Sequence, residues 1–273
     1  MDNNNNNQSI SERGKTDIKI PSENNELMQK ALEHINQSEE IKTLWRVVNV
    51  NAMDRMGWAD HGSVHVQIVS NISIRLLRIL KKRGVEMSIQ KNFGLSYQHA
   101  ELVVMLASLF HDLGMSINRD GHEGYSLIIA NNILKEVLSF LPIEERVIVA
   151  SEVLHAIINH RDDGKPLTVE AGIVMIGDAL DMSAGRIKLS IEEEIDLNIH
   201  AISAYAVDKV EIKEGEDRPV EIDIYMNNSS GLFQVDELLK HKINGSGIKE
   251  HFSVKAIVEG ETEKKIIKEF VLK

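Results

Sequence analysis

The chain contains no cysteine among its 273 residues. That absence excludes disulfides, thiolate zinc sites and cysteine nucleophiles, so any metal must be held by histidine and carboxylate side chains. No apolar run reaches the roughly 18 residues that a membrane-spanning helix needs, so no membrane partner is expected. The Asn-rich start, residues 1–8, lacks the apolar stretch of a secretory signal. A cytoplasmic location is the expectation. Positive charge is also short: 31 Lys and Arg stand against 42 Asp and Glu, a formal net charge of -11. A chain this acidic does not suit a nucleic-acid polymer, whose backbone demands a Lys/Arg-rich surface. A small phosphorylated substrate is compatible with it, because a bound metal reverses the local charge.

What is present is a helical texture that changes late in the chain. Residues 1–24, with the Asn3–Asn7 run, show no periodicity and read as a disordered tail. Residues 25–187 read as a helical domain. Val64, Ile68, Ile72, Leu76 and Leu80 recur every four residues and predict one apolar stripe. The nearly unbroken apolar run 101–110 predicts a helix buried in the core. Pro142 breaks the chain before a helix over 143–160, and Thr168 is placed to cap the next one. Residues 188–273 differ. The β-rich runs 204–213 and 220–226 predict a hairpin, 232–242 a helix, and 252–258 and 266–272 two more strands. The expected fold is mainly α: a helical domain followed by a small α+β domain, ββαββ, with one helix on an antiparallel sheet.

Five polar clusters interrupt the helical part: Asp60-His61-Gly62-Ser63-Val64-His65, His111-Asp112-Leu113-Gly114, Arg119-Asp120-Gly121-His122, Asn159-His160-Arg161 and Asp178-Ala179-Leu180-Asp181. His61 and His65 are four apart, so a helix would place them on one face. His111 and Asp112 end an apolar helix. A carboxylate there can share one metal with the histidine while its second oxygen reaches another. Imidazole with carboxylate and no thiol suits Mn, Fe, Zn or Mg rather than a structural zinc. Asp178 lies in an apolar run, where an unpaired carboxylate is costly, so it should face a cation. Any one such residue more often serves a core hydrogen bond than a metal. The ordered set, threaded through successive helices, is far more specific than its members.

Over about residues 60–186 this pattern resembles the HD-domain metal-dependent phosphohydrolases. The resemblance implies a helical fold and hydrolysis of phosphate mono- or diesters by a metal-activated hydroxide. His65, the doublet His111-Asp112 and Asp178 look like the ligands of one metal. His122 and His160 match the extra histidines of dinuclear members, in which Asp112 would bridge two divalent ions. Arg186, Arg119 and Arg161 are the candidate substrate-binding cations, Arg186 also a candidate catalytic residue because it continues from the ligand helix. His61 resembles the histidine that protonates the leaving group in related cyclic-nucleotide phosphodiesterases; in some HD-GYP members this position is a metal ligand, and both roles stay open. Two departures stand out. Met115 follows Gly114 where a Lys is usual, and the Gly-Tyr-Pro of the HD-GYP group is absent, with Asn159 where that group has a His.

Asp181 is open between orienting a ligand or Arg186 and being an exposed helix carboxylate. His155 reads as a core or supporting residue, Glu192-Glu193-Glu194 as a solvated face, and Trp45 and Trp58 as packing anchors. The expected function is cleavage of a nucleotide or another small phosphate ester. The alternative is a metal-containing, nucleotide-sensing regulator with little turnover. Dimerisation and effector binding are both open for the C-terminal domain.

Overall fold

The computed structural model describes residues 17–182, 206–258 and 269–272. Arg186, the Glu192–Glu194 run and the junction near residue 187 lie outside the described residues. The helices relevant to the site are α1 (Glu26–Gln37), α2 (Glu39–Asn49), α3 (Ser63–Lys82), α4 (Ser88–Phe93), α5 (Tyr97–Phe110), α6 (His122–Val137), α7 (Ile143–Ile158), α8 (Val169–Ala179) and, after two strands, α9 (Lys240–Gly245). The architecture is mainly α, as the sequence pattern implies.

Helix α5 is the axis. Every residue from His99 to Phe110 is buried, and α1, α3, α7 and α8 pack around it. A helix apolar on all sides has to be surrounded in this way. Its neighbour α3 departs from expectation. Val64 is exposed, and the buried positions are His65, Val66, Val69, Ile74, Leu76, Leu77 and Leu80. A four-residue step overshoots one helical turn by roughly 40°, so the Val64–Leu80 series winds off the core face. The true stripe alternates three- and four-residue steps, and it brings His65 inward.

Helices α3 and α8 cross closely because Gly177 has no side chain. A Cβ there would lie 2.0 Å from Ser73 Oγ. This crossing is what carries Asp178 to His65.

The packed chain begins earlier than a tail over residues 1–24 implies. Ile18 and Ile20 are buried, and the Ile18 amide and carbonyl both bond Asn36. Two isoleucines at alternate positions of an extended segment place both side chains on one face, a signal too short to register as periodicity.

The C-terminal strands are β1 (Val207–Glu214), β2 (Val220–Met226), β3 (Phe252–Val258) and β4 (Glu269–Leu272), in the spatial order β1-β2-β3-β4. The β1–β2 hairpin is antiparallel as expected. The all-antiparallel sheet is not found: β2 and β3 run parallel, with Val220 opposite Phe252 and Met226 opposite Val258. The helical segment between them is a crossover, and a crossover returns the chain in its starting direction. The apolar core runs without a break from the helical part into this sheet, from Leu77 and Ile176 to Ile222 and Val254. Among the described residues, no helix is long and apolar enough to cross a membrane.

Candidate metal centre

Each predicted ligand stands at the end of an element. His111 and Asp112 follow the last residue of α5, which ends because the chain turns at Leu113-Gly114 and enters α6. A Cβ on Gly114 would lie 2.0 Å from the His122 carbonyl oxygen, so only glycine lets the first turn of α6 close over the doublet. Ser126 completes this turn. Its hydroxyl donates to the His111 carbonyl at 2.6 Å and accepts from the Gly114 amide at 2.8 Å. The carbonyl orphaned at the helix end is thereby satisfied. His65 lies in the first turn of α3, His160 follows α7, and Asp178 lies in the last turn of α8.

The side chains converge. His65 Nε2 lies 3.4 Å from Asp112 Oδ2 and 3.4 Å from Asp178 Oδ1. His111 Nε2 lies 3.3 Å and 3.5 Å from the same two oxygens. Asp112 turns its other oxygen the other way: Oδ1 is 3.0 Å from His122 Nε2 and 3.7 Å from His160 Nε2. One carboxylate therefore faces two sets of imidazole nitrogens.

The outer nitrogens decide the tautomers. Nδ1 of His111 donates to the Ser108 carbonyl at 2.9 Å, Nδ1 of His122 to the Arg119 carbonyl at 2.9 Å and Nδ1 of His160 to the Ile157 carbonyl at 2.7 Å. Nδ1 of His65 lies 2.6 Å from Asp181 Oδ2. With the proton on Nδ1, each Nε2 offers a lone pair to the centre. Two such pairs meet nearly head on, His65 with His111 at 3.3 Å and His122 with His160 at 3.2 Å. Imidazole lone pairs at that separation repel unless a cation lies between them. The donor set is nitrogen and carboxylate oxygen, buried and preorganised, and it fits a divalent metal.

Without a metal the centre balances its charge with a proton. Burial pulls the His111 imidazole down, but the Asp112 and Asp178 carboxylates beside it prevail and raise it to about 10. Burial likewise works against the charge on Asp112, yet His111, His122 and His65 hold its carboxyl well below the usual carboxylate range. His160 is depressed to about 3, by burial first and then by the His111 cation.

The remaining expectations divide. His61, Arg119 and Arg161 all line the cleft over the centre, with Asp112, His122 and His160. His61 is not on the helix of His65, as its spacing suggests. It precedes Gly62, and α3 begins at Ser63. Asp60 accounts for this. Its Oδ1 accepts the amides of Gly62 and His65, and Asn49 holds its Oδ2 at 2.7 Å, so the carboxylate caps α3 from outside. Trp45 is a packing anchor, buried with Nε1 on the Leu109 carbonyl. Trp58 is not: it is 48% exposed, with the Arg119 guanidinium 4.8 Å above its ring. His155 accepts the Leu167 amide and contacts Asn159, which shapes the 159–167 loop rather than the centre.

One residue was not foreseen. Lys242 of α9 reaches the cleft and places Nζ 2.6 Å from Asp178 Oδ2. It gives the Asp178 carboxylate a cationic partner. It comes 64 residues later in the chain, and no local spacing signals it.

The HD domain family matches residues 63–183, which spans His65, the doublet, His122, His160 and Asp178. The chain belongs to the HD-domain superfamily. It is also 37% identical over 226 residues to the uncharacterized protein MJ1020 of Methanocaldococcus jannaschii, covering 82% of this chain and 87% of that one. No solved structure matches. The HD domain is consistent with a metal-dependent hydrolase, and the buried His/Asp cluster of this HD protein fits metal binding.

Proposed function

We propose that this HD protein is a two-metal phosphohydrolase acting on a nucleotide or a similar small phosphate ester. The observation that carries the reading is the division of Asp112: Oδ2 faces His65 and His111, while Oδ1 faces His122 and His160. One ion would be held by His65, His111, Asp112 and Asp178, and a second by Asp112, His122 and His160, with Mn, Fe, Zn or Mg as candidates. Divalent ions held there supply Lewis acidity and a water acidified to near neutrality.

The chain's own residues supply the rest. Asp181 fixes the His65 tautomer, so that Nε2 stays unprotonated. Arg119 and Arg161, at the cleft, bind substrate oxygens. His61 holds its Nδ1 2.7 Å from the Ala59 carbonyl, so only as an imidazolium does it carry, on Nε2, the proton for the leaving group. The alternative is a metal-bound regulator with little turnover, a reading kept open by Met115 standing where a lysine is usual after Gly114; Lys242, which brings a lysine to the cleft, favours the enzyme.

The test uses full-length protein loaded with Mn²⁺, a nucleotide ester and a nitrophenyl phosphate ester. The wild type should hydrolyse both. His61→Ala should keep its metal and lose roughly 100-fold on the nucleotide ester, whose alkoxide leaves poorly without a proton. It should lose far less on the nitrophenyl ester. No hydrolysis of any phosphate ester in a nucleotide panel would sink the enzyme reading. Equal losses on both esters with metal retained would remove His61 as the acid, and loss of metal would make it a ligand.

A further inference from the structure

Lys242 lies outside the residues matched to the HD family, yet it lines the same cleft as His61, Asp112 and Arg161. Its side chain is only 14% exposed. The backbone that delivers it is firmly seated. Ile243, the next residue, and Ile248 are buried in the core, and a Cβ on Gly172 of α8 would lie 2.4 Å from the Ser246 carbonyl oxygen. Helix α8 thus accepts the end of α9 only because residue 172 is glycine, and Lys242 arrives beside Asp178 as a fixture of the fold.

A cation at this place is poorly suited to helping hold metals. It repels a divalent ion a few ångströms away, and it draws charge from a carboxylate that would ligate one. It becomes favourable when an anion enters. Lys242 joins the two other cations of the cleft, Arg161, within 4.0 Å of Glu123 and Asp162, and Arg119, stacked on Trp58. Met115, also in the cleft, brings no charge.

We propose that Lys242 is a substrate-binding residue that grips a phosphoryl oxygen, so that the C-terminal segment completes the active centre. The inference rests on the phosphohydrolase reading above. An ammonium has three donors. One stays on Asp178 Oδ2, leaving Asp178 Oδ1 toward His65 and His111, and another turns to the phosphoryl group. Lysine meets phosphate as a point charge, without the planar fork that arginine needs.

The probe is inorganic phosphate, titrated into the full-length Mn²⁺-loaded protein, with bound metal counted in parallel. Lys242→Met keeps most of the stem and removes the charge. It should weaken phosphate binding roughly tenfold or more, as expected for loss of a charge-assisted hydrogen bond, with metal content unchanged. Lys242→Arg should restore most of the affinity. Lys242→Gln repeats the test should the Met variant fold poorly. Unchanged phosphate affinity in a metal-loaded Met or Gln variant overturns the proposal. Metal loss in the Met and Gln variants, reversed in Lys242→Arg, also overturns it, because Lys242 would then only position Asp178. A wild type that takes up no Mn²⁺ fails at the earlier step and overturns the phosphohydrolase reading itself.

Discussion

Asp112→Ala should abolish turnover and strip the centre of metal in one step. The carboxylate is buried, and its two oxygens serve two separate pairs of histidines. Asp178 also lies near His111 and His160, but it is Asp112 that turns one oxygen to each pair, so neither set can hold an ion as before. An ion that lowers the pKa of bound water to near neutrality would raise the supply of nucleophile at neutral pH by many orders of magnitude. We therefore expect a loss of roughly 10⁴-fold or more in kcat/KM, with bound metal falling in parallel. The checks are steady-state kinetics and elemental analysis on one preparation. Full metal occupancy in an inactive variant would contradict the shared role of Asp112.

Metal affinity should rise about tenfold per pH unit through the neutral range, roughly 1000-fold from pH 6 to pH 9. In the metal-free centre His111 holds a proton up to about pH 10, and a metal on Nε2 must displace it. His160, depressed to about 3, has no proton to lose in that range. The same proton makes the opposite contribution to the stability of the metal-free fold. The folded pKa of about 10 lies above the ordinary histidine value of 6.5. The stabilisation from this charge is therefore full below pH 6.5 and is lost as pH rises towards 10. Competition titrations with a Mn²⁺ chelator at pH 7, 8 and 9 measure the slope. A flat profile would mean that His111 is neutral before the metal arrives.

The side chains that converge at the centre were legible in the sequence because they stand at helix ends, where buried His and Asp are rare. An apolar helix that stops at His111-Asp112, and a Gly114 that lets α6 close over it, leave a local trace. The helices were legible for the same reason: α5 is apolar on all faces, and Pro142 and Thr168 mark the starts of α7 and α8. What failed to read was non-local or depended on phase. The stripe on α3 drifted because a period of four is not 3.6. The direction of β3 was set by the helical crossover, not by its own residues. His61 left the helix because Asp60 caps α3 while Asn49, from α2, holds both Asp60 and the His61 amide. Ile18 and Ile20 are core residues whose partners lie well away in the chain. Lys242 belongs to the centre through tertiary packing alone, made possible by Gly172.

The central claim is that Asp112 divides its oxygens between two ions. Elemental analysis of full-length protein, loaded with Mn²⁺ and freed of excess, tests it most directly. The wild type should carry about two ions per chain and His160→Ala about one, since only the Asp112 Oδ1 set loses a ligand. One ion in the wild type, or two held at unchanged affinity in His160→Ala, would contradict it.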